Sequence, residues 1–229
     1  MANIAIWGGG PYHPTLAQAD WLIGALEDRV WTGEYWSARE GLAVRAERSD
    51  VLVVSRLEWS GMGSLDPKLW EEPESTPHPY SPLSDEELDA LKAHLASGGG
   101  LLCLHSAIAS YDERSELEEI FDGRWVWGRS THSKYEEFDV SVVGAEHPIV
   151  AGVSDFRITD ELYYNLNGPT NSEVLLEASY DGRTWPLAWA GAHSGGKTAY
   201  IGLGHDMAAF ANPSLQRLLL NAVEWLAPA

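Results

Sequence analysis

Three short apolar runs in this sequence each lead into a histidine. "NIAIWGGGPYHP" brings Tyr12 and His13, "GGGLLCLHSA" brings His105 and Ser106, and "KTAYIGLGHD" brings His205 and Asp206. Two further segments carry ionisable candidates: "WGRSTHS" with His132, and "TDELYYN" with Asp160, Glu161 and Tyr163. Imidazoles titrate near neutrality, and beside a carboxylate they suit proton transfer next to a carbonyl, as in isomerisation or elimination. On residue type, His105, Glu161 and His205 are the catalytic candidates, with Glu161 or His105 as base and His205 as an acid or orienting group. Tyr12, His13, His132, Asp160 and Tyr163 are candidates for substrate contact. The set His13, His105 and His205 could instead hold Zn²⁺ or another divalent ion, since imidazole and carboxylate with an open position make a catalytic metal site.

Each residue also has a plainer reading. A single histidine after a strand commonly hydrogen-bonds a loop carbonyl, and Asp160 and Glu161 could simply cap a turn. His147 precedes a proline in "EHPIVAGV" and fits a turn, while His78, His94 and His193 read as solvated. What sets three histidines apart is a shared edge. In open parallel sheets, ligands bind beyond the carboxyl ends of the strands.

The elements that would build such an edge are legible. "NIAIWG" and "DVLVVS" (50–55) read as buried strands, and apolar residues from Leu16 to Val30 recur at helical spacing. "SDEELDALKAHLASGGG" opens on a capping box, Ser84 with Glu87, carries Leu88, Leu91 and Leu95 on one face, and stops at Gly98. "GLLCL" is the next strand. This alternation requires crossovers, hence a mostly parallel sheet covered on both faces. "YEEFDVSVV", "DFRITDELYYNL" and "SEVLLEAS" are shorter and more alternating, which predicts antiparallel or edge additions. "KTAYIGLG" returns as a strand, and "NPSLQRLLLNAVEWL" is a helix with Asn212 as cap and Pro213 first. The expectation is one α/β domain over 1–229, a three-layer sandwich. The long Pro- and Ser-rich excursion at 56–83 could act as a lid.

Composition narrows the partners. Fifteen Lys and Arg against 34 Asp and Glu give a net charge of −19, which repels nucleic acid and anionic membranes. No run approaches the roughly 20 apolar residues that span a bilayer, and the start lacks the basic region of a signal peptide. One cysteine allows no internal disulfide, which fits a cytoplasmic setting. The 11 tryptophans could stack on sugar faces, or serve in the core and at subunit contacts. No zinc-protease helix motif, paired Cys-x-x-Cys, nucleophile elbow of the Gly-x-Ser-x-Gly type or dinucleotide fingerprint is present.

Taken in order, "WGGGPYHP", "DVLVV", "GGGLLCLHSA", "HPIVAGVSDFRITDELYYN" and "GKTAYIGLGHDMAAFANPSLQRLLLNAVEWL" resemble the ThuA-like (trehalose utilisation) proteins. These form a branch of the class I glutamine amidotransferase-like superfamily. The resemblance implies a flavodoxin-like fold and a link to carbohydrate metabolism. In amidotransferase relatives the nucleophilic cysteine sits at the sharp strand-to-helix turn, followed by small residues. Here His105 holds that position, and Cys103 lies two residues earlier, inside the strand. The chain is therefore not expected to be a glutaminase. Some members carry further histidines after "DVLVV", where this chain reads "SRLEWSG". The expectation is an enzyme acting on a small or keto sugar by His/Glu acid–base or metal-assisted chemistry. The alternatives are a non-catalytic sugar-binding or regulatory protein, and an interaction module whose Trp-rich segments 20–36 and 59–70 form a homo-oligomer contact.

Overall fold

The computed structural model describes residues 2–69 and 79–228. Its N-terminal half alternates as expected. Strand β1 (Ala2–Trp7) leads to helix α1 (Thr15–Glu27), then β2 (Trp31–Trp36), α2 (Leu42–Arg48), β3 (Val51–Val54), α3 (Asp85–Ala96) and β4 (Gly100–Leu104). A short helix α4 (Glu116–Phe121) and the two-residue β5 (Thr131–His132) follow. Next come β6 (Glu136–Val142), β7 (Phe156–Asp160), β8 (Tyr163–Tyr164), β9 (Glu173–Tyr180), β10 (Arg183–His193) and β11 (Gly196–Ile201). Two helices, α5 (Met207–Phe210) and α6 (Pro213–Leu226), end the described chain.

Nine strands form one sheet in the order β2-β1-β3-β4-β11-β10-β9-β6-β7. The first five are parallel, and the last four pair antiparallel. Side chains of β4 alternate between two cores. Leu102 and Leu104 join α1 and α6 on one face, while Leu101 and Cys103 join α2 and α3 on the other. Both faces are covered, which is why β3 and β4 read as unbroken apolar runs. The result is the flavodoxin-like three-layer sandwich with antiparallel additions.

Caps set the helix boundaries as the sequence indicates. Ser84 and Glu87 make the reciprocal capping box of α3, and Asn212 accepts from the N–H groups of Ser214 and Leu215 at the start of α6. Other details differ. Helix α1 stops at Glu27, and Val30 is exposed in a left-handed turn. His94 is not solvated: it is 3% exposed, with Nδ1 against the Ala46 carbonyl and Nε2 against the Gly100 carbonyl, tying α3 to α2 and β4. His147 fixes a turn, its Nδ1 accepting from Ile149 N–H. The excursion at 56–83 includes residues outside those described, as does His78, and its reading as a lid extends over them.

The loop before β9 is held by one carboxylate, at the end of helix α4. Asp122 accepts N–H groups of Thr170, Asn171 and Ser172 at 2.6–3.1 Å, and the Thr170 hydroxyl at 2.8 Å. Burial pushes its pKa up, but these donors outweigh it and hold it at about 2 against an ordinary 3.8. A depressed folded-state pKa stabilises above the unfolded value and is lost as pH falls through the folded one. The protein is expected to lose stability between about pH 4 and pH 2, by about 1 kcal/mol after solvent screening at this open site. Urea unfolding of Asp122→Asn should lack that step; an unchanged acid limb would rule the assignment out.

Candidate functional site

Three parallel strands deliver their carboxyl ends to one edge. The chain leaves β1 through Gly8–Gly9–Gly10 to Tyr12 and His13, leaves β4 directly into His105, and leaves β11 into Gly204 and His205. The pairings give β7 the same sense as β11, so its end places Asp160 and Glu161 at this edge too. The antiparallel β5–β8 pair sets His132 opposite Tyr163.

The turns are tight for stated reasons. Gly10 has φ +97°, and a Cβ there would lie 2.1 Å from the Leu57 carbonyl oxygen. Beneath it the buried Arg56 donates to the Gly8 carbonyl at 2.8 Å and pairs with Glu58 at 2.5 Å, joining the loop after β3 to the loop after β1. His105 has φ +46° and Tyr12 has φ +74°, left-handed conformations that cost side-chain-bearing residues about 1–2 kcal/mol each. His105 thus occupies the sharp elbow at the end of β4. Cys103 sits inside the strand with no exposure, its thiol pKa pushed well up by burial, and is inert.

The three histidines converge. His13 lies 5.0 Å from both His105 and His205 between ring centroids, and His105 lies 5.7 Å from His205. One ligating atom from each falls within 4.8 Å of the others. His13 Nδ1 is 3.1 Å from the Pro11 carbonyl, and His105 Nδ1 is 2.9 Å from the Gly202 carbonyl. A carbonyl only accepts, so both rings carry their proton on Nδ1 and keep a lone pair on Nε2. His13 Nε2 is buried with no partner. Burial, then the neighbouring imidazoles, lowers His13 well below its ordinary value. Burial likewise takes His105 down to about 4 despite the opposing Gly202 carbonyl. Both are neutral at pH 7. Neutral imidazoles with Nδ1–H fixed on backbone carbonyls and Nε2 turned inward are what a bound divalent cation requires. The donor set fits such an ion.

Glu161 joins the cluster, its oxygens 3.3 Å from His205 Nδ1, 3.4 Å from His132 Nδ1 and 4.0 Å from His105 Nε2. Burial would raise its pKa, but His205, His132 and His105 outweigh that and hold it below the ordinary value. For His205 the balance mirrors this: burial lowers, while Glu161, Asp160 and Asp206 raise it further. The buried Tyr163 phenol, 3.2 Å from His105 Nε2, has its pKa pushed well up by burial and stays protonated. His132 stands at the rim, with its side chain 45% exposed.

One candidate is relocated. Asp160 has no exposure, and its carboxylate accepts from Gly204 N–H at 2.7 Å, Glu161 N–H at 2.8 Å and His205 N–H at 3.1 Å. It lies behind the cavity rather than in its lining, and it is a positioning residue. Burial pushes its pKa up to about 6 against the pull of those donors, which leaves it mostly ionised at neutral pH. The other candidates, apart from the enclosed His105, line a cavity of about 380 Å³. Sequence reasoning missed the rest of that lining: Leu57, Trp59, Ala109, Trp125 and Trp127. The Trp-x-Trp spacing in "GRWVWGRSTHS", five residues before His132, was the available signal. A larger concavity of about 410 Å³ gathers Glu118, Glu119 and Asp122, but the Asp122 oxygens are already occupied by the 170–172 loop.

The model of the ThuA family, described as trehalose utilisation, matches residues 69–226. The chain belongs to the ThuA family. A ThuA-like protein of Parabacteroides merdae is similar in structure over 98% of this chain and 89% of its own, with a TM-score of 0.74 and 18% identity. A second, from Bacteroides uniformis, covers 98% and 91%, with a TM-score of 0.72 and 15% identity. A cytoplasmic protein of Salmonella typhimurium matches over the whole of both chains, with a TM-score of 0.61 and 18% identity. No curated protein matches the chain. These likenesses carry the fold; the ThuA membership rests on the family model. No helix among the described residues is long and apolar enough to cross a membrane.

Asp160→Asn is nearly isosteric but would turn an amide group toward at least one of these N–H donors. An unsatisfied buried donor costs about 1–3 kcal/mol. Urea unfolding should show a loss of about 2 kcal/mol; wild-type stability would mean the carboxylate does not tie β7 to the 204–205 loop.

Proposed function

We propose that this ThuA-family chain is an enzyme acting on a small carbohydrate, with a keto sugar as the favoured class, through a three-histidine divalent-metal site and a Glu161 base. The observation that carries this is the convergence of three imidazoles upon one another, two of them proton-locked on backbone carbonyls, with the Glu161 carboxylate set against His205. A plain sugar-binding protein needs no such cluster. His13 and His105, through Nε2, and His205 would hold the ion, which when bound would polarise a carbonyl oxygen.

The protein groups have distinct tasks. Glu161, held ionised by the imidazoles around it, accepts a proton from the carbon next to a substrate carbonyl. His205 Nδ1 lies 3.3 Å from a Glu161 oxygen, which can only accept, so that Nδ1 carries its proton toward the base and His205 orients it. His132, at the rim with Nδ1 2.8 Å from the Ser133 carbonyl and 3.4 Å from Glu161, turns an N–H toward the carboxylate and helps to hold it ionised. The Tyr163 phenol donates to His105 Nε2, and would be released for a substrate oxygen where that lone pair is taken by an ion. Tyr12 lines the same cavity. The family description, trehalose utilisation, supports a sugar-related substrate, and the Salmonella relative named as cytoplasmic favours the same compartment here.

Metal analysis of the purified protein is the first test. About one divalent ion per chain is expected, lost in both His105→Ala and His205→Ala. Protein that neither carries an ion nor gains one on titration with Zn²⁺ or Mn²⁺ would remove the metal from the reading. Glu161→Gln should retain the ion yet lower kcat on a responsive keto sugar by about 10²–10⁴-fold. An unchanged kcat would exclude Glu161 as the base.

A further inference from the structure

The cavity is chemically divided. Its floor holds the titratable groups, and one wall is almost wholly apolar: Leu57, Trp59, Ala109, Trp125 and Trp127. Trp59, from the loop after β3, stacks on Trp127 with centroids 5.0 Å apart and planes 16° apart. Trp125 turns against Trp127 at 5.9 Å and packs edge-on to Tyr163 at 5.0 Å, linking the wall to the floor. The Trp127 indole N–H already donates to the Ala109 carbonyl at 3.3 Å, so this residue offers its ring face rather than a donor.

Trp127 is also 42% exposed. Among the described residues the only other exposed large aromatic is Tyr135, whose ring lies 5.6 Å from His205. Both exposed aromatics therefore flank the histidine cluster. Exposed aromatic faces at the mouth of a polar site are a stacking surface without an occupant.

We infer that this wall is a subsite for a flat, apolar aglycone, so that the favoured substrate class is an aryl glycoside whose sugar ring carries the keto group, that sugar lowered toward the histidines and the aromatic ring on Trp127. The inference rests on the small-carbohydrate reading above. A second pyranose would bring several hydroxyls to a wall with few groups to meet them, and unmet hydroxyls carry a desolvation cost. An aromatic ring has no such requirement. Ring stacking contributes about 0.5–1.5 kcal/mol beyond area burial, enough for up to about tenfold in affinity.

The test is calorimetric and needs no turnover. Phenyl and methyl D-glucopyranosides of both anomers, and trehalose, are titrated into the protein as purified and after EDTA treatment. One phenyl glycoside is expected to bind about tenfold more tightly than its methyl counterpart and than trehalose. Trp127→Ala should abolish that difference, and Trp59→Ala should reduce it. Circular dichroism of both variants establishes folding, which the exposure of Trp127 leaves undisturbed. Equal binding of phenyl and methyl glycosides, including no binding by either, overturns the inference. So does trehalose binding as tightly as the phenyl glycoside, or a phenyl preference that survives in Trp127→Ala. A preference that persists after EDTA supports the subsite even if metal analysis finds no ion, so the two readings fail separately.

Discussion

The buried carboxylate of Asp160 is the constraint on which the site depends. It stands at the end of an antiparallel addition to the sheet, yet it accepts N–H groups from the loop that leaves the parallel strand β11. Without it, nothing in the sheet's own ladder would fix Gly204 and His205 relative to Glu161. Three peptide donors on one carboxylate are a strong set of charge-assisted bonds. They sit in a dry environment, where such bonds are firm when complete and costly when broken. The parallel half supplies His13, His105 and His205; the antiparallel half supplies Glu161. Asp160 is the joint between them.

The elbow at the end of β4 shows a second constraint. His105 is held in a conformation that side-chain-bearing residues avoid, and the strain is sustained by the two cores that clamp β4. The elbow presents a neutral imidazole whose Nδ1 is already engaged, so only Nε2 faces the site. That ring can bind a cation or accept a proton, while the Cys103 thiol stays enclosed in the strand. Tyr12, likewise in a left-handed conformation, marks the opposite lip. Local strain of this kind is concentrated where a side chain must be aimed rather than merely packed.

Much of this was legible in the sequence, for physical reasons. Buried parallel strands are apolar throughout, capped helices carry their punctuation, and a histidine just past a strand must emerge at the carboxyl edge. What escaped had weaker local signals. Strand β2 is an edge strand, "WTGEYW", carrying a glycine and a glutamate and mostly open to solvent, so no apolar run announces it. Strand β10 contains Pro186 at a register shift, and proline there punctuates the pattern instead of ending the strand. His94 looked like a surface residue of α3 because helical spacing alone does not show that α2 packs over it. Asp160 and Glu161 are adjacent and chemically alike. Only the alternation of β7 decides that one turns into the core and the other toward the histidines.

The charge distribution completes the argument about what the cavity can accept. With a net charge of −19 the chain's field draws divalent cations inward and repels anions. A phosphorylated or acidic sugar would need arginine or lysine to offset that field. Among the described residues the cavity lining contains neither; its titratable groups are imidazoles, phenols and one carboxylate. Neutral substrates remain, and the apolar wall then determines which of them gain most from entering. In the proposed reading, field, floor and wall select at different ranges: the field rejects anions before contact, the wall would favour an apolar ring on entry, and the floor would act on the sugar.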